Sequence, residues 1–300
     1  NKNEISQKKQ KTFHRLMAHK ELKVSINAPA KTSKKSISLR LMFADLKDAR
    51  FLGRQIFIRD TKAMFRQSLL GFAWAILPPF LSGGLWIFLN YSGAVNITDT
   101  GIPYPIFVIS GTLLFATFTQ ALNSPSDAVN AGKSMMAKLN FPREALLLNA
   151  FYKTLFDFSL KLLPLLLISL GLGFSLGWSA LLYPLGALVI MLFGFSIGVF
   201  LIPFKMLYGD IGRFIGLGTQ LLMYATPIVY PMPVSGFIKD FNVFNPLYYL
   251  ISIPRDWFTS IEVASAVPVF VGLIVALIIL FFGWVLYRIT MPIIIERVGA

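Results

Sequence analysis

Six long apolar segments dominate the pattern of hydrophobic and polar positions along this chain. They cover residues 70–91, 102–122, 146–172, 179–204, 212–230 and 264–287. At a helical rise of about 1.5 Å per residue, each is long enough to cross a hydrocarbon core of about 30 Å, the fifth only just. A backbone in lipid must satisfy its own hydrogen bonds, so the pattern predicts an all-α, polytopic membrane protein with six transmembrane helices. We assign residues 70–290 to this transmembrane domain.

An amphipathic pattern precedes the first apolar segment. Between residues 46 and 65, the apolar side chains fall within one stripe of a helix. The basic residues of this stretch lie on the other sides: Lys47, Arg50, Arg54 and Lys62. We therefore predict an N-terminal interface helix within 40–69 that lies on the inner leaflet, with its Lys and Arg stems reaching toward the headgroups. The alternative is an ordinary soluble helix, which would need a soluble core to pack against.

The segment between the fifth and sixth apolar runs, residues 231–263, combines apolar side chains with several prolines. It is too apolar for a free loop, and it is too short and too interrupted by proline to span. Irregular backbone at membrane depth is tolerated only where protein covers it or where it faces a cavity. We predict two short re-entrant helices within 231–257 that dip into the outer leaflet; a hydrophobic surface loop is the alternative.

Composition excludes a soluble globule and places the charge at one end. Hydrophobic residues make up 55% of the chain and charged residues only 14%, whereas soluble domains carry about 25% charged residues. Residues 1–69 hold 17 of the 28 Lys and Arg residues against 5 of the 14 acidic ones, an excess of +12 out of +14. Residues 1–39 therefore form a basic tail, predicted to be disordered and cytoplasmic, whose expected partner is the anionic inner leaflet rather than nucleic acid.

The distribution of basic residues predicts the orientation of the six spans. The connections 92–101 and 173–178 contain no Lys or Arg, and 231–263 contains only Lys239 and Arg255. The other connections and the C-terminal end hold Lys133, Lys138, Arg143, Lys205, Arg288 and Arg297. Because basic residues are retained on the cytoplasmic side, we predict that both termini, including residues 291–300, are cytoplasmic.

The sequence offers little that could carry catalysis. The two histidines, His14 and His19, lie in the tail, and the chain has no cysteine, so no catalytic, cofactor-binding or metal-binding residue is predicted. Gly132-Lys133-Ser134 resembles the end of a phosphate-binding loop, but Asp127 stands where that loop has its first glycine. If ATP drives this protein, ATP and Mg²⁺ are bound by another chain.

The longest predicted cytoplasmic connection, residues 123–145, carries the signals of a short helix. Ser124 is suited to an N-cap, Pro125 to the first turn, and Asp127 to the positive end of the helix dipole. The predicted helix runs to about Lys138. Two interpretations stay open: a handle on which a partner protein pushes, or a solvated connecting helix.

Charged and aromatic side chains inside the predicted spans are candidates for contact with a transported substrate. Lys153, Asp157 and Lys161 share one face of the third span at i, i+4 and i+8, so they could form ion pairs within the bundle or face a substrate in a wet cavity. Aromatic faces can stack on sugar rings, although aromatic residues in spans more often face lipid or the core. The channel candidates are Trp86, Phe115, Phe118, Tyr224 and Lys161.

Three motifs in order resemble one family. The first reads Arg59-Asp60, Phe65-Arg66-Gln67-Ser68, Leu70-Gly71, Trp74 and Pro78, and the second is Phe141-Pro142-Arg143-Glu144. The third reads Asp210-Ile211, Gln220 and Thr226-Pro227-Ile228-Val229-Tyr230-Pro231, followed by Asn245-Pro246-Leu247. Together they resemble the ABC-2 integral membrane protein family, and more narrowly its permeases for O-antigen, capsule or teichoic acid. The family usually has Arg-Asp-Ile in the third motif, where this chain has Gly209.

The resemblance implies a homodimer with a channel between its two copies, in the bacterial inner (cytoplasmic) membrane. Two copies of a separate ATPase subunit are expected to dock on the interface helix and on a coupling helix, mapped to residues 124–139. The candidate ATPase-contact residues are Ser124, Asp127, Lys133, Lys138, Arg143, Glu144, Arg59 and Asp60. ATP hydrolysis there would drive a lipid-linked polysaccharide outward.

Two other functions are alternatives to polysaccharide export. One is an ABC-2 permease for a drug or a lipid. The other is a membrane-embedded glycosyl- or acyltransferase, against which the lack of membrane histidines, cysteines and clustered acids speaks. The expected partners are therefore a second copy of this chain, the ATPase subunits, the lipid-linked glycan and membrane lipids, with no nucleic acid.

Overall fold

The computed structural model describes residues 39–66, 71, 73–95, 97, 100–139, 141–259 and 265–299. Regular structure within these ranges is entirely helical. The basic tail and motif residues Gln67, Ser68 and Leu70 lie outside the described residues. The helices are α1 (Leu39–Arg66), α2 (Ala73–Tyr91), α3 (Tyr104–Ala131), α4 (Lys133–Lys138), α5 (Glu144–Gly171), α6 (Tyr183–Leu207), α7 (Gly209–Ala225), α8 (Phe237–Phe244), α9 (Pro246–Thr259) and α10 (Val267–Gly299).

Four helical stretches are long and apolar enough to cross a membrane. They are Tyr104–Ala131, Glu144–Gly171, Trp178–Leu207 and Val267–Ile294, and the third joins a short 3₁₀ turn, Trp178–Leu182, to α6. The apolar part of α2, Ile76–Tyr91, is shorter, and α7 has 17 residues. Helices therefore lie at all six predicted positions, and the structure assigns a spanning length to four of them.

Helix α6 lies at the centre of the packing and contacts α3 and α10 most extensively. Two of its glycines permit the close approach to α3. A β-carbon at Gly194 would lie 2.6 Å from the carbonyl oxygen of Phe118, and one at Gly198 would lie 2.5 Å from that of Leu122. Real β-carbons do not come so near to a carbonyl oxygen. Any residue larger than glycine at these two positions would therefore force α6 and α3 apart.

Helix α3 is continuous through the point where the sequence predicted a new helix. The prediction of a separate helix beginning at Ser124 is wrong, because α3 runs on to Ala131 with Pro125 buried inside it. Ser124 does not cap a helix; its hydroxyl donates to the carbonyl oxygen of Ala150 on α5, at 3.0 Å. Packing against α5 and α6 overrides the local cap signals, and the separate helix of this connection is the six-residue α4.

Two short helices, α8 and α9, occupy the proline-rich segment between α7 and α10. Asn245 joins them: its side-chain oxygen accepts from the backbone N–H of Leu247 at 3.1 Å, and its amide donates to Thr226 Oγ1 at 2.9 Å. Helix α9 is largely buried against α6, α3 and α10. The predicted pair of helices is therefore present, and its depth in a membrane stays a prediction.

Arg255 of α9 is buried among the ends of several elements. Its Nη1 donates to the carbonyl oxygen of Ile228 at 3.0 Å, and its Cζ lies 3.8 Å from the centre of the Phe107 ring on α3. The charge therefore sits on an aromatic face inside the protein. The sequence places Arg255 in a predicted outer connection, and the structure makes its side chain part of the packing between α9, α3 and the residues after α7.

Helix α1 packs along α5 and is fastened at both of its ends. Near its start, Asp45 pairs with Arg288 of α10, and Arg288 also lies 3.3 Å from the carboxylate of Glu144. Near its end, the side-chain amide of Asn149 on α5 donates to Asp60 at 3.2 Å. The predicted interface-helix range 40–69 thus corresponds to α1 as far as Arg66.

Candidate functional site

A cavity of about 920 Å³ opens between α2, α3 and α5, with the end of α1 and Met223 of α7 at its edge. Its wall combines apolar, aromatic and polar side chains. The polar and aromatic lining residues are Asp60, Trp74, Ser82, Thr112, Phe115, Thr119, Gln120, Asn123, Ser124, Asp127, Asn149, Lys153, Asp157 and Lys161. A cavity of this size with convergent polar groups is the default candidate for a binding site.

One wall of the cavity holds a hydrogen-bonded network that joins α3 to α5. Lys161 Nζ donates to Gln120 Oε1 at 2.7 Å, and Gln120 Nε2 donates to Asp157 Oδ2. Asp157 and Lys161 are each only 5% exposed. The spacing of these charges on α5 left open ion pairs within the bundle or contact with a substrate, and the structure joins Asp157 and Lys161 through the amide of Gln120 on the cavity wall.

The carboxylate of Asp157 keeps unused bonding capacity. Its Oδ1 is buried and accepts no hydrogen bond from the described part of the protein. A buried carboxylate oxygen without a donor is unfavourable by roughly 1–3 kcal/mol or more. The third charge of this face, Lys153, also lines the cavity but is exposed.

A second polar group borders the cavity where α1, α3 and α5 meet. The Arg59 guanidinium pairs with Asp60 at 2.8 Å, and Asp60 also accepts from Asn149. On α3, Asn123 accepts a hydrogen bond from Lys205 Nζ of α6 at 2.8 Å. These contacts tie α1 to α5 and α3 to α6 around the cavity rim.

The channel candidates separate into two groups. Phe115 and Lys161 line the cavity. Phe118 is buried, with its ring centre 6.1 Å from that of Phe115 and 6.3 Å from that of Phe193. Trp86 is partly buried against the same core, and Tyr224 is exposed on α7, beside the cavity residue Met223. The structure therefore brings two of the five candidates to the cavity.

The residues predicted to contact an ATPase subunit lie in different parts of the structure. Asp60, Ser124 and Asp127 line the cavity rather than a separate surface helix. Around α4, Lys133 is half-buried, and the side chain of Lys138 lies outside the described residues. Glu144 is buried in its ion pair with Arg288, and the carbonyl oxygen of Arg143 accepts from Tyr287 Oη at 3.1 Å.

Sequence reasoning missed Gln120 and Asn149, and it missed the ion pairs of Arg288 on α10. Gln120 lies 41 residues before Lys161, so no local spacing relates the two. The one available signal was that an amide inside a predicted span is unfavourable unless it is bonded. From the sequence, Arg288 predicts only the orientation of the chain, because its two acidic partners lie far away in sequence, on α1 and α5.

No metal site is found over the described residues, where no three His, Asp or Glu side chains come together in a way that could hold an ion. The polar groups of the cavity are instead bonded across helices. Such an arrangement can bind a hydroxylated or charged solute through hydrogen bonds, and its apolar and aromatic lining can contact the faces of rings.

Comparison of the sequence with known proteins identifies the family of this chain. The ABC-2 type transporter family matches residues 53–258. The O-antigen export system permease protein RfbA of Myxococcus xanthus is 24% identical over 74% of this chain and 85% of its own length. Its namesake from Klebsiella pneumoniae is 27% identical over 67% of this chain and 78% of its own length.

A third relative is named for a different polymer. The polysialic acid transport protein KpsM of Escherichia coli is 21% identical over 78% of this chain and 91% of its own length. The family match covers more than half of the chain and includes α2, α3, α5 and the cavity between them. This protein therefore belongs to the ABC-2 type transporter family and is the membrane subunit of a transporter rather than an enzyme.

Proposed function

We propose that this chain is the permease subunit of an ABC transporter that exports a lipid-linked polysaccharide across the bacterial inner membrane. The observation that carries the proposal is the 920 Å³ cavity, whose wall mixes aromatic rings with hydrogen-bonding side chains. The names of the relatives, which refer to O-antigen and polysialic acid, point to the same class of substrate. They do not favour the drug, lipid or transferase alternatives.

The proposed topology has six spans, with both termini in the cytoplasm and α8 and α9 re-entering from the outside. The two shorter helices are included because of their surfaces. Helix α7 has no buried residue and exposes Phe214, Leu217 and Leu221 by 60–72%. Helix α2 likewise exposes Leu81, Leu85 and Phe88 by 57–67%. Such apolar surfaces need lipid or another protein against them.

A homodimer would provide that cover. The cavity opens between α2 and the bundle, and α7 contributes Met223 to its edge while contacting little of its own chain except α6. Two copies that meet through α2 and α7 would close the open side and place a continuous path between them. The polysaccharide would travel along this path.

The energy source is proposed to be a separate ATPase, present in two copies, which binds ATP and Mg²⁺. Helix α4, on the connection between α3 and α5, is the proposed contact together with α1. The contacts of both helices support this role: Asp45 on α1 forms one ion-pair cluster with Glu144 on α5 and Arg288 on α10, and α4 packs against α10 and α3. Movement of one element would therefore be passed to the others.

Deletion of the gene tests the proposed function. We expect one surface glycan to disappear from the cell and its lipid-linked form to accumulate inside, as seen on silver-stained gels of surface polysaccharide and by extraction of membrane lipids. Reintroduction of the wild-type gene should restore the glycan. An unchanged set of surface glycans in the deletion strain would overturn the proposal.

A further inference from the structure

Helix α1 packs its apolar stripe against its own protein. Ala49 and Ile56 are buried in a core that they share with residues of α5 and α10. A β-carbon at Gly53 would lie 2.9 Å from the carbonyl oxygen of Ala145, so α1 approaches the start of α5 closely. The apolar stripe that predicted an interface helix is therefore largely covered by protein, and other residues of α1 face outward.

A second stripe of α1 carries three basic residues between two phenylalanines. Its members recur every three or four positions, which places them along one side of a helix: Phe43, Lys47, Arg50, Arg54 and Phe57. The three basic side chains are exposed, and none of them forms an ion pair with any residue that the structure describes. Like charges at this spacing repel each other, so this basic stripe favours an anionic partner.

Both ends of the basic stripe contact helices that are long and apolar enough to cross a membrane. The centre of the Phe43 ring lies 5.8 Å from that of Trp284 on α10, and the centre of the Phe57 ring lies 5.8 Å from that of Phe156 on α5. Phe156 is twelve residues, or about 18 Å, from the start of α5. Because Phe57 belongs to the basic stripe, this side of α1 is turned toward the apolar part of the bundle. Basic side chains in such a place extend toward lipid headgroups.

The opposite exposed edge of α1 has a different composition. Asp48, Gln55 and Arg59 lie there, about 140–180° around the helix from Arg50. Arg59 is among the residues of α1 that are expected to contact the ATPase. A lipid on one edge of α1 and a protein on the other can therefore be bound at the same time.

We propose that the basic stripe binds the headgroups of anionic phospholipids in the inner leaflet. Lys47, Arg50 and Arg54 pair with the phosphate groups, and the ring of Phe43, which is 63% exposed, contacts the acyl chains beside them. The inference concerns the lipid around the protein and not the exported substrate. It rests on the proposed topology, in which this end of the bundle is cytoplasmic, and the identity of the glycan does not affect it.

The absence of cysteine from the whole chain allows one reporter to be attached beside the basic stripe. Phe51 is 53% exposed and lies one helical turn from both Lys47 and Arg54, so Phe51→Cys can carry a bimane fluorophore there. The full complex with its ATPase is placed in phosphatidylcholine vesicles that contain increasing fractions of a nitroxide-labelled lipid. That lipid is either phosphatidylglycerol, which is anionic, or phosphatidylcholine, and the nitroxide quenches the fluorophore on contact.

We expect half-maximal quenching at a lower fraction of phosphatidylglycerol than of labelled phosphatidylcholine. Arg54→Gln should raise the required fraction of phosphatidylglycerol about fivefold, the factor that one basic residue near an anionic surface contributes. Replacement of Lys47, Arg50 and Arg54 together by glutamine should make the two lipids equal. Arg213→Gln, which removes the same charge from an exposed position on α7, should leave the required fractions unchanged.

Each result decides the inference. Equal quenching by the two lipids before any basic residue is replaced, or a preference for phosphatidylglycerol that survives the triple replacement, would overturn it. A reporter that neither lipid quenches would show that protein covers the basic stripe, and this would overturn it as well.

The three basic side chains are exposed, so the triple variant should unfold at the same temperature as its parent. If that temperature falls, the single change Arg54→Gln decides the inference instead. Loss of the surface glycan on gene deletion together with a contrary quenching result would overturn the lipid site while leaving the export function intact.

Discussion

At the scale of single residues, the buried charges of this protein are held by partners on other helices. The amide of Gln120 separates Asp157 from Lys161 on the cavity wall, and Arg288 lies between Asp45 and Glu144 where α1, α5 and α10 meet. Charges in such places are tolerated only when they are bonded. Removing one partner should therefore be more harmful than removing an exposed charge.

Replacement of Gln120 by leucine should destabilise the bundle. The change leaves the buried Asp157 and Lys161 without their shared partner, so we expect a loss of about 2–3 kcal/mol. Thermal unfolding of the purified protein in detergent would measure it. Ser159→Ala is the matched control on α5, since this exposed hydroxyl donates to the carbonyl oxygen of Leu155 in its own helix. Equal melting temperatures for the two variants would contradict the role given to Gln120.

The pair between Arg288 and Glu144 should also contribute strongly. Their side chains are 15% and 5% exposed, and Glu144→Gln leaves a buried guanidinium with less compensation, so we expect a loss of about 3 kcal/mol. The exposed pair Arg213–Asp210, with side chains 84% and 77% exposed, provides the comparison. Asp210→Asn should change the unfolding free energy by less than about 1 kcal/mol. A larger effect at Asp210 than at Glu144 would reverse this ranking.

At the scale of helices, the close approach of α6 to α3 depends on glycine. Gly198→Ala places a β-carbon against the carbonyl oxygen of Leu122, so α6 must move outward, and we expect a loss of about 1–3 kcal/mol. Gly171→Ala, at the end of α5, adds a β-carbon with no neighbouring atom within 4 Å and should cause no loss. Thermal unfolding of both variants would check this contrast, and a Gly198→Ala protein as stable as the control would refute it.

Helix α4 is where we expect an ATPase partner to act. Lys133→Glu reverses a charge at the start of this helix, so it should weaken co-purification of the ATPase and reduce the amount of surface glycan. Lys239→Glu, on the exposed α8, is a matched reversal at the end of the protein proposed to face outward. Full ATPase recovery with Lys133→Glu, or an equal loss with Lys239→Glu, would argue against docking at α4.

At the scale of the whole molecule, the proposed topology places α4 and α8 on opposite sides of the membrane. Because the chain has no cysteine, Ser134→Cys and Ser235→Cys each introduce a single exposed thiol. A maleimide that does not cross the inner membrane should label Ser235→Cys in intact cells whose outer surface is permeable to it. Ser134→Cys should be labelled only after the cells are broken, and labelling of both thiols in intact cells would contradict the orientation.

The apolar runs and the charge distribution were enough to predict an all-helical membrane protein, and three motifs were enough to predict its family. The prediction of a helical membrane protein succeeded because it needs only local sequence. The number of apolar residues that cross a membrane and the need of each span to satisfy its own backbone hydrogen bonds can both be judged within one segment. The helices found at all six predicted positions, and the two short helices before α10, follow from that local information.

Contacts between distant residues decided the rest. Ser124 and Pro125 carry the signals of a helix start, yet the packing of α3 against α5 and α6 continues the helix through them. The bridge from Asp157 through Gln120 to Lys161 joins two helices, and nothing in the spacing of either helix encodes it. A hydrogen bond across a bundle depends on the rotation of each helix and on the distance between helices. Both are set by the packing of many side chains at once, including the glycines of α6 that let it approach α3.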